Sequence, residues 1–236
     1  MGARTSPARS PDVARVLDIG RADVSLVSRR DEAADVRELR SERAVRFVNV
    51  TLAIIALVLL SPLLIAIAIA IKATSRGPVF YLQPRVGLDR RGRRTDPGYD
   101  RRARNLGGRI FTIYKFRSMR ADAERESGAV WAAKVDSRVT PVGRFLRKTR
   151  LDELPQLINV VLGDMNIVGP RPERPSIFAR LCEDIAEYPL RQLARPGITG
   201  WAQINQSYDS CVDDVRRKVR YDLEYLDRRS VFEDLR

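Results

Sequence analysis

The 236-residue sequence contains no histidine and only two cysteines, Cys182 and Cys211. The missing imidazole removes Ser–His–Asp triads, Cys–His dyads and zinc sites with histidine ligands. Acid–base or nucleophilic work near neutral pH therefore falls to carboxylates, lysine, tyrosine, cysteine, serine or a metal-bound water. Two isolated cysteines make neither a CxxC pair nor a disulfide framework, and a reducing compartment is the simpler reading. No GxxxxGK[ST] or GxGxxG stands before a helix, which leaves P-loop and Rossmann phosphate binding unsupported. No internal repeat occurs, and no second domain boundary is expected after residue 78. The first dozen residues lack an apolar h-region, so no cleavable signal peptide is expected; residues 1–30 read as a polar, mostly disordered lead-in.

What the chain has in excess is positive charge: 43 Lys and Arg against 30 Asp and Glu, a formal +13. Such a balance suits nucleic acid, acidic lipid head groups or phosphorylated small molecules. Eight of the arginines lie between residues 88 and 109, among Gly, Asp and Pro, in what reads as a loop. No interleaved stacking aromatics and no base-reading motif accompany them, so nucleic acid is not the expected partner; lipid head groups account for the charge more simply.

The stretch "FVNVTLAIIALVLLSPLLIAIAIAI", Phe47 to Ile71, has no charged residue. As a straight helix it would reach roughly 37 Å, enough for a hydrocarbon core of about 30 Å. Pro62 lacks an N–H and clashes with the preceding turn, so a bend or break is expected at Ser61–Pro62. The halves 47–60 and 63–71 would reach only about 21 and 13 Å, each too short to cross alone. Basic residues flank both sides: Arg43 and Arg46 before, Lys72 and Arg76 after. A charge bias thus selects no orientation for a span, whereas a hairpin-like re-entrant segment puts both flanks on one face. Ser61 can cap a carbonyl that the proline frees. A kinked span and a re-entrant hairpin both fit these residues.

Beyond it, "PVFYLQPRV" (78–86) and "RIFTIYKFRSM" (109–119) read as the strands of a β-hairpin with an enlarged tip. "SMRADAERESG" reads as a helix that Gly128 ends. Residues 136–165 read as mostly helical in two pieces, with a break near Thr149–Asp152. In the second piece Leu154, Leu157, Ile158, Val161 and Leu162 make one apolar face, Pro155 fits the first turn and Gly163 supplies the stop. An amphipathic helix or pair over 175–193 follows, then a Pro-Gly turn and compact aromatic loop in "RPGITGWAQIN". The last helix turns Val215, Val219, Leu223 and Leu226 inward; an exposed apolar face on it is compatible with a homodimer.

Three groups are candidates for chemistry. Asp152 and Glu153 sit at a helix start, where acids gain about 0.3–1 kcal/mol from the helix dipole without further purpose. Placed at a helix end, both can also approach one ligand, one attacking a phosphorus covalently and one holding Mg²⁺ or moving a proton. Arg171, in "GPRPERP", is flanked by prolines that fix the backbone on either side; it is either a rigid surface residue or a bidentate phosphate grip. Lys115 and Arg117 share one side of a strand, as an exposed basic face or as partners of a diphosphate.

Taken together, "SPLLIAIAIAIKATSRGPVFYLQPRVG", "FTIYKFRSM", "RVTPVGRFLRKTRLDELPQLINVVLGDMNIVGPRPERP" and "RPGITGWAQIN" resemble the bacterial sugar transferases, the monotopic phosphoglycosyl transferases. The resemblance covers about residues 43–232. It implies a mainly helical α/β fold with a small β-hairpin: a polar N-terminal extension (1–42), a re-entrant membrane helix-break-helix (43–72) bent at Ser61–Pro62, and a catalytic domain (73–236) on the cytoplasmic membrane face. It further implies transfer of a phosphosugar from a UDP-sugar to polyprenyl (undecaprenyl) phosphate, starting polysaccharide or glycoconjugate assembly. By the same likeness Asp152 is the nucleophile, giving an aspartyl-phosphosugar and UMP. Glu153 assists as Mg²⁺ partner or acid/base, and Arg171 grips phosphate. A catalytically silent membrane scaffold of the same fold is the alternative. The sequence departs from the family in its long basic hairpin tip and in having only a polar lead-in before residue 43. It also departs in ending at "SVFEDLR", where members generally continue into a further apolar stretch.

Overall fold

A computed structural model describes residues 42–89, 108–120, 123, 136–206 and 211–235. Most of the expected helix over 118–128, of the basic hairpin tip and of the lead-in lies outside these residues; at the start of that expected helix Met119 instead makes a β-bridge with Val139. Residues 46–236 cluster as one compact unit, so the apolar helix pair belongs with everything that follows it.

The chain enters through α1 (Glu42–Leu59) and α2 (Ser61–Thr74), which meet at an angle of 62°. Pro62 at the start of α2 sets the bend. The Ser61 hydroxyl donates to Val58 O at 2.8 Å, so a carbonyl next to the break is satisfied by a neighbouring side chain. Among the described residues no single helix is long and apolar enough to cross a membrane, while the bent pair has that length and composition together. Much of its apolar surface is bare: Phe47, Val58, Leu59, Ile65 and Ile69 are all exposed. A patch of this extent marks an interaction surface on a folded protein.

The expected hairpin is present. Strands β1 (Phe80–Val86) and β2 (Ile110–Phe116) pair antiparallel from Phe80 opposite Phe116 to Val86 opposite Ile110. Next comes α3 (Pro141–Thr149), whose Thr140 N-cap accepts from Gly143 N at 3.0 Å. Arg150 adopts left-handed backbone (φ 61°), and a short 3₁₀ turn, Leu151–Glu153, leads into α4 (Gln156–Leu162). The break between the two helical pieces thus falls where it was expected. Gly163, at φ 94°, ends α4.

Two expectations need correction. The inward face of α4 is not the apolar stripe. Leu157 and Val160 are buried beside polar Gln156 and Asn159, whereas Leu162 is 61% exposed and Val161 also faces out. Asn159 rotates the helix: its Nδ2 donates to Thr112 O at 2.7 Å and its Oδ1 accepts from Tyr114 N at 3.0 Å. Two backbone bonds to β2 offset the cost of burying the amide. Second, "NIV" and "GIT" are strands, β3 (Asn166–Val168) and β4 (Gly197–Thr199), paired in parallel. The expected aromatic loop is then a single helical turn, α6 (Trp201–Asn205). Between them lie α5 (Pro175–Asp184) and a 3₁₀ turn, Tyr188–Leu193; α7 (Val212–Arg228) and α8 (Val231–Leu235) follow.

The core has three parts. One joins Val86, Phe178, Tyr188, Val215 and Val219. The other two each receive one leg of the bent pair. Ala53 of α1 packs with Phe111, Ile113, Leu157, Val160 and Met165, and Ile67 and Ile71 of α2 pack with Phe116 and Leu146. A fully buried isoleucine contributes about 1.5–3 kcal/mol, so Ile67 and Ile71 hold α2 firmly to the rest of the unit.

Candidate active site

Glu153 is the hub. Its Oε1 accepts from Lys115 Nζ at 2.8 Å and from Arg171 Nη2 at 2.6 Å, and Arg171 Nη1 lies 3.4 Å from Oε2. Three segments far apart in sequence are thereby tied together: the end of β2, the 3₁₀ turn before α4 and the proline-flanked loop after β3. Asn159 sets the first two against each other, because its bonds to Thr112 and Tyr114 hold β2 just ahead of Lys115.

The two acids are treated differently. Burial alone would make ionised Glu153 costly, but Arg171 and Lys115 overturn that and bring its carboxyl down to about 2. Asp152 goes the other way: burial raises its carboxyl above the usual range, with Lys115 opposing and the Glu153 charge adding to the rise. Its Oδ1 is buried and has no hydrogen-bond partner among the described residues; the same is true of Gln156 Nε2, one turn further on. Lys115 is pushed down to about 8, first by burial and then by the neighbouring Arg171 charge.

The loop carrying Arg171 has no regular structure, yet it is held on several sides. Arg85 of β1 donates to Pro172 O at 2.9 Å, and Val86 N donates to Glu173 O at 2.9 Å. Gly169 N donates to Thr199 O and Gly197 N to Pro170 O. At Gly197 a side chain is impossible, since a Cβ would stand 2.1 Å from Gly169 N. From below, buried Arg191 donates to Arg171 O at 3.1 Å while its Nε bonds Asp222 Oδ2 at 2.6 Å and its Nη1 bonds Tyr188 Oη at 2.8 Å. With the Gln203 amide turned so that its nitrogen donates to Ile198 O, its oxygen accepts from Arg171 Nη1 at 3.3 Å.

Of the residues singled out in the sequence, Asp152, Glu153, Lys115 and Arg171 meet. Arg117 does not join them. It lies just past the end of β2 and donates to Ser75 O at 2.9 Å, Ser75 Oγ at 2.7 Å and Arg76 O at 2.8 Å, capping the end of α2. Ser61 and Pro62 stand at the bend. Sequence reasoning missed Asn159, Arg191, Asp222 and Gln203, because a polar residue at a helical core position gives no sign of its partner until the packing is known.

No group of three or more Cys, Asp and Glu able to hold a metal exists among the described residues. The pair present nonetheless fits Mg²⁺, which is usually held by one or two carboxylates with substrate phosphates completing its shell. Asp152 Oδ1 is without a partner and Glu153 Oε2 has only the 3.4 Å contact.

Lys115 and Arg171 converge on Glu153, and the neighbouring Asp152 is buried with an Oδ1 that has no partner among the described residues. The bacterial sugar transferase family model matches residues 40–236. The chain is 42% identical over 190 residues to the UDP-N-acetylgalactosamine-undecaprenyl-phosphate N-acetylgalactosaminephosphotransferase of Aeromonas hydrophila, covering 80% of this chain and 40% of that protein. It is 40% identical over 190 residues to the UDP-glucose:undecaprenyl-phosphate glucose-1-phosphate transferase of Escherichia coli K12, covering 80% and 37%. With the exopolysaccharide production protein PSS of Rhizobium leguminosarum bv. phaseoli it shares 37% over 186 residues, 77% of this chain and 84% of that one. The chain therefore spans about two-fifths of the length of the first two relatives. It belongs to the bacterial sugar transferase family.

Proposed function

We propose that this chain is a phosphoglycosyl transferase that moves a sugar phosphate from a UDP-sugar to undecaprenyl phosphate at the cytoplasmic face of the bacterial plasma membrane. The names of its relatives supply the donor and acceptor classes. The observation that carries the reading is the division between the acids: Glu153 fixed by Lys115 and Arg171, Asp152 buried with a free oxygen.

A carboxylate oxygen of Asp152 attacks the β-phosphorus of the donor. A P–O bond forms there as the bond from that phosphorus to the bridging oxygen breaks, and UMP departs with the bridging oxygen and its electron pair. An oxygen of polyprenyl phosphate then attacks the same phosphorus, and the Asp152 carboxylate leaves with its electron pair. The product is a polyprenyl-diphosphate sugar. One phosphoanhydride replaces another, so the transfer needs no further energy source.

Arg171 and Lys115 offset the diphosphate charge that would otherwise repel an attacking carboxylate. Raised basicity makes the Asp152 anion the better nucleophile of the two acids. Glu153, held at about 2, stays ionised throughout the physiological range, which fits a metal partner and not a proton donor. Bound Mg²⁺ would add charge neutralisation at the diphosphate, with Asp152 Oδ1 and Glu153 Oε2 as its protein ligands. The bent pair inserts as a re-entrant hairpin, and its bare apolar faces lie among the lipid tails.

The test is nucleotide release from a panel of UDP-sugars with Mg²⁺ and undecaprenyl phosphate, beside Asp152→Asn. UMP formed only by the unaltered protein is the expected result. UDP in its place would mean glycosyl transfer and refute the mechanism. No release from folded protein across the panel would favour a membrane scaffold.

A further inference from the structure

The inner face of α1 is polar where an apolar helix has least reason to be. Arg46, Asn49 and Ala53 fall at i, i+3 and i+7, and all three are spent on the catalytic unit. Arg46 Nη1 donates to Met165 O at 3.0 Å; its Nη2 donates to Val161 O at 3.2 Å and to Val160 O. Asn49 Oδ1 accepts from Ile167 N at 2.6 Å. Ala53 is fully buried against the residues following α4 and on it. The last carbonyls of a helix lack partners within it. Arg46 supplies them at the C-terminal end of α4, where a cation also suits the helix dipole. The 3₁₀ turn that carries Asp152 and Glu153 leads directly into the N-terminal end of the same helix. The other leg is fastened in like manner by Arg117, two residues beyond Lys115.

We infer that Arg46 is a positioning residue for the acceptor half of the reaction. It fixes α4 to the membrane helix and thereby sets the depth of Asp152 relative to a phosphate at the lipid surface. This rests on the phosphotransfer reading above. The donor arrives from water and is met by Lys115, Glu153 and Arg171, whose bonds to one another do not include Arg46. Acceptor phosphate is different: its height is fixed by the bilayer, and the attachment of α4 to α1 matches Asp152 to it. A misplacement of 1 Å in a reacting pair costs about a hundredfold. Loss of the Arg46 bonds is therefore expected to lower the acceptor step by between about tenfold and a hundredfold.

The experiment uses the full chain in phosphatidylethanolamine–phosphatidylglycerol nanodiscs with undecaprenyl phosphate, comparing the unaltered protein, Arg46→Met and Arg46→Lys. Two rates are read: exchange of labelled UMP into the UDP-sugar without acceptor, and product formation with it. In Arg46→Met exchange stays within about twofold, which also shows the variant is folded, while kcat/KM for undecaprenyl phosphate falls by the amount above. Arg46→Lys keeps the charge and shows the same split at smaller size. The deficit shrinks when a short-chain, water-dispersed prenyl phosphate in detergent replaces the membrane-held acceptor, because depth then ceases to matter. Parallel loss of both rates in both variants would make Arg46 merely structural and overturn the inference, as would acceptor turnover that is unchanged. Absence of exchange in the unaltered protein would instead overturn the covalent step; the inference is then judged by whether acceptor KM and kcat change while donor KM does not.

Discussion

Replacing Lys115 by Arg separates two effects that one proton produces with opposite signs. The Lys115 ammonium is buried beside Arg171 and titrates at about 8 in place of 10.5. Since the folded value is the lower one, the unfolded chain holds the extra proton between about pH 8 and 10.5, and stability rises with pH across that window. The gap, at 1.36 kcal/mol per pH unit, amounts to about 3 kcal/mol. Activity moves the other way. Above pH 8 Glu153 keeps only Arg171, and the site has one cation fewer for a diphosphate. In the free protein the charged fraction of Lys115 falls about tenfold per pH unit beyond 8, and donor kcat/KM should follow it down. A guanidinium remains charged throughout, so Arg at this position should flatten the alkaline limb, whatever its effect on the rate at pH 7. The assay is initial rate of UMP release at subsaturating donor from pH 6.5 to 10, alongside thermal unfolding in the same buffers. An unaltered protein that is flat to pH 10, or an alkaline limb that persists in Lys115→Arg, would refute the reasoning. Loss of activity and stability together would mean alkaline unfolding.

Two further perturbations follow from the packing. Asp222→Asn leaves the Arg191 guanidinium buried without its counter-ion, at an expected cost of about 3–5 kcal/mol read by thermal or urea unfolding. The double change Arg191→Met/Asp222→Leu should recover most of that stability yet still raise donor KM, because the Arg171 carbonyl has lost its donor. Gly163→Ala should lower stability by about 1–2 kcal/mol through its left-handed backbone alone, because the nearest atom to the added methyl is Arg46 Nη2 at 3.5 Å.

Local chemistry was legible in the sequence wherever it was decided locally. Pro62 announced the bend, Gly163 the end of α4 and the two basic-flanked strand patterns the hairpin. Proline on both sides of Arg171 marked a rigid loop. What escaped was decided by partners. Three-residue strands such as β3 and β4 carry too few positions for a period of two to register. The stripe Leu154, Leu157, Ile158, Val161, Leu162 predicted the wrong face because periodicity assumes that only water lies outside, whereas Val161 and Leu162 are exposed next to the point where Arg46 fastens α1. Arg46 was read as one of several flanking charges and Arg117 as a phosphate ligand. Both are engaged in satisfying carbonyls. The charge of a side chain is written in the sequence, but the oxygen it meets is not.

The attachment of α1 also has a bearing on synthesis. Arg46 bonds to a carbonyl 119 residues further along the chain. At roughly 5–20 residues per second that oxygen emerges from the ribosome some 6–24 s after the arginine does. Until then the Arg46 guanidinium and the Asn49 amide of α1 lack the backbone partners they meet in the finished fold. Translation therefore opens an interval in which α1 exists without the partners of its inner face, and that interval closes only once the segment through Met165 has been made.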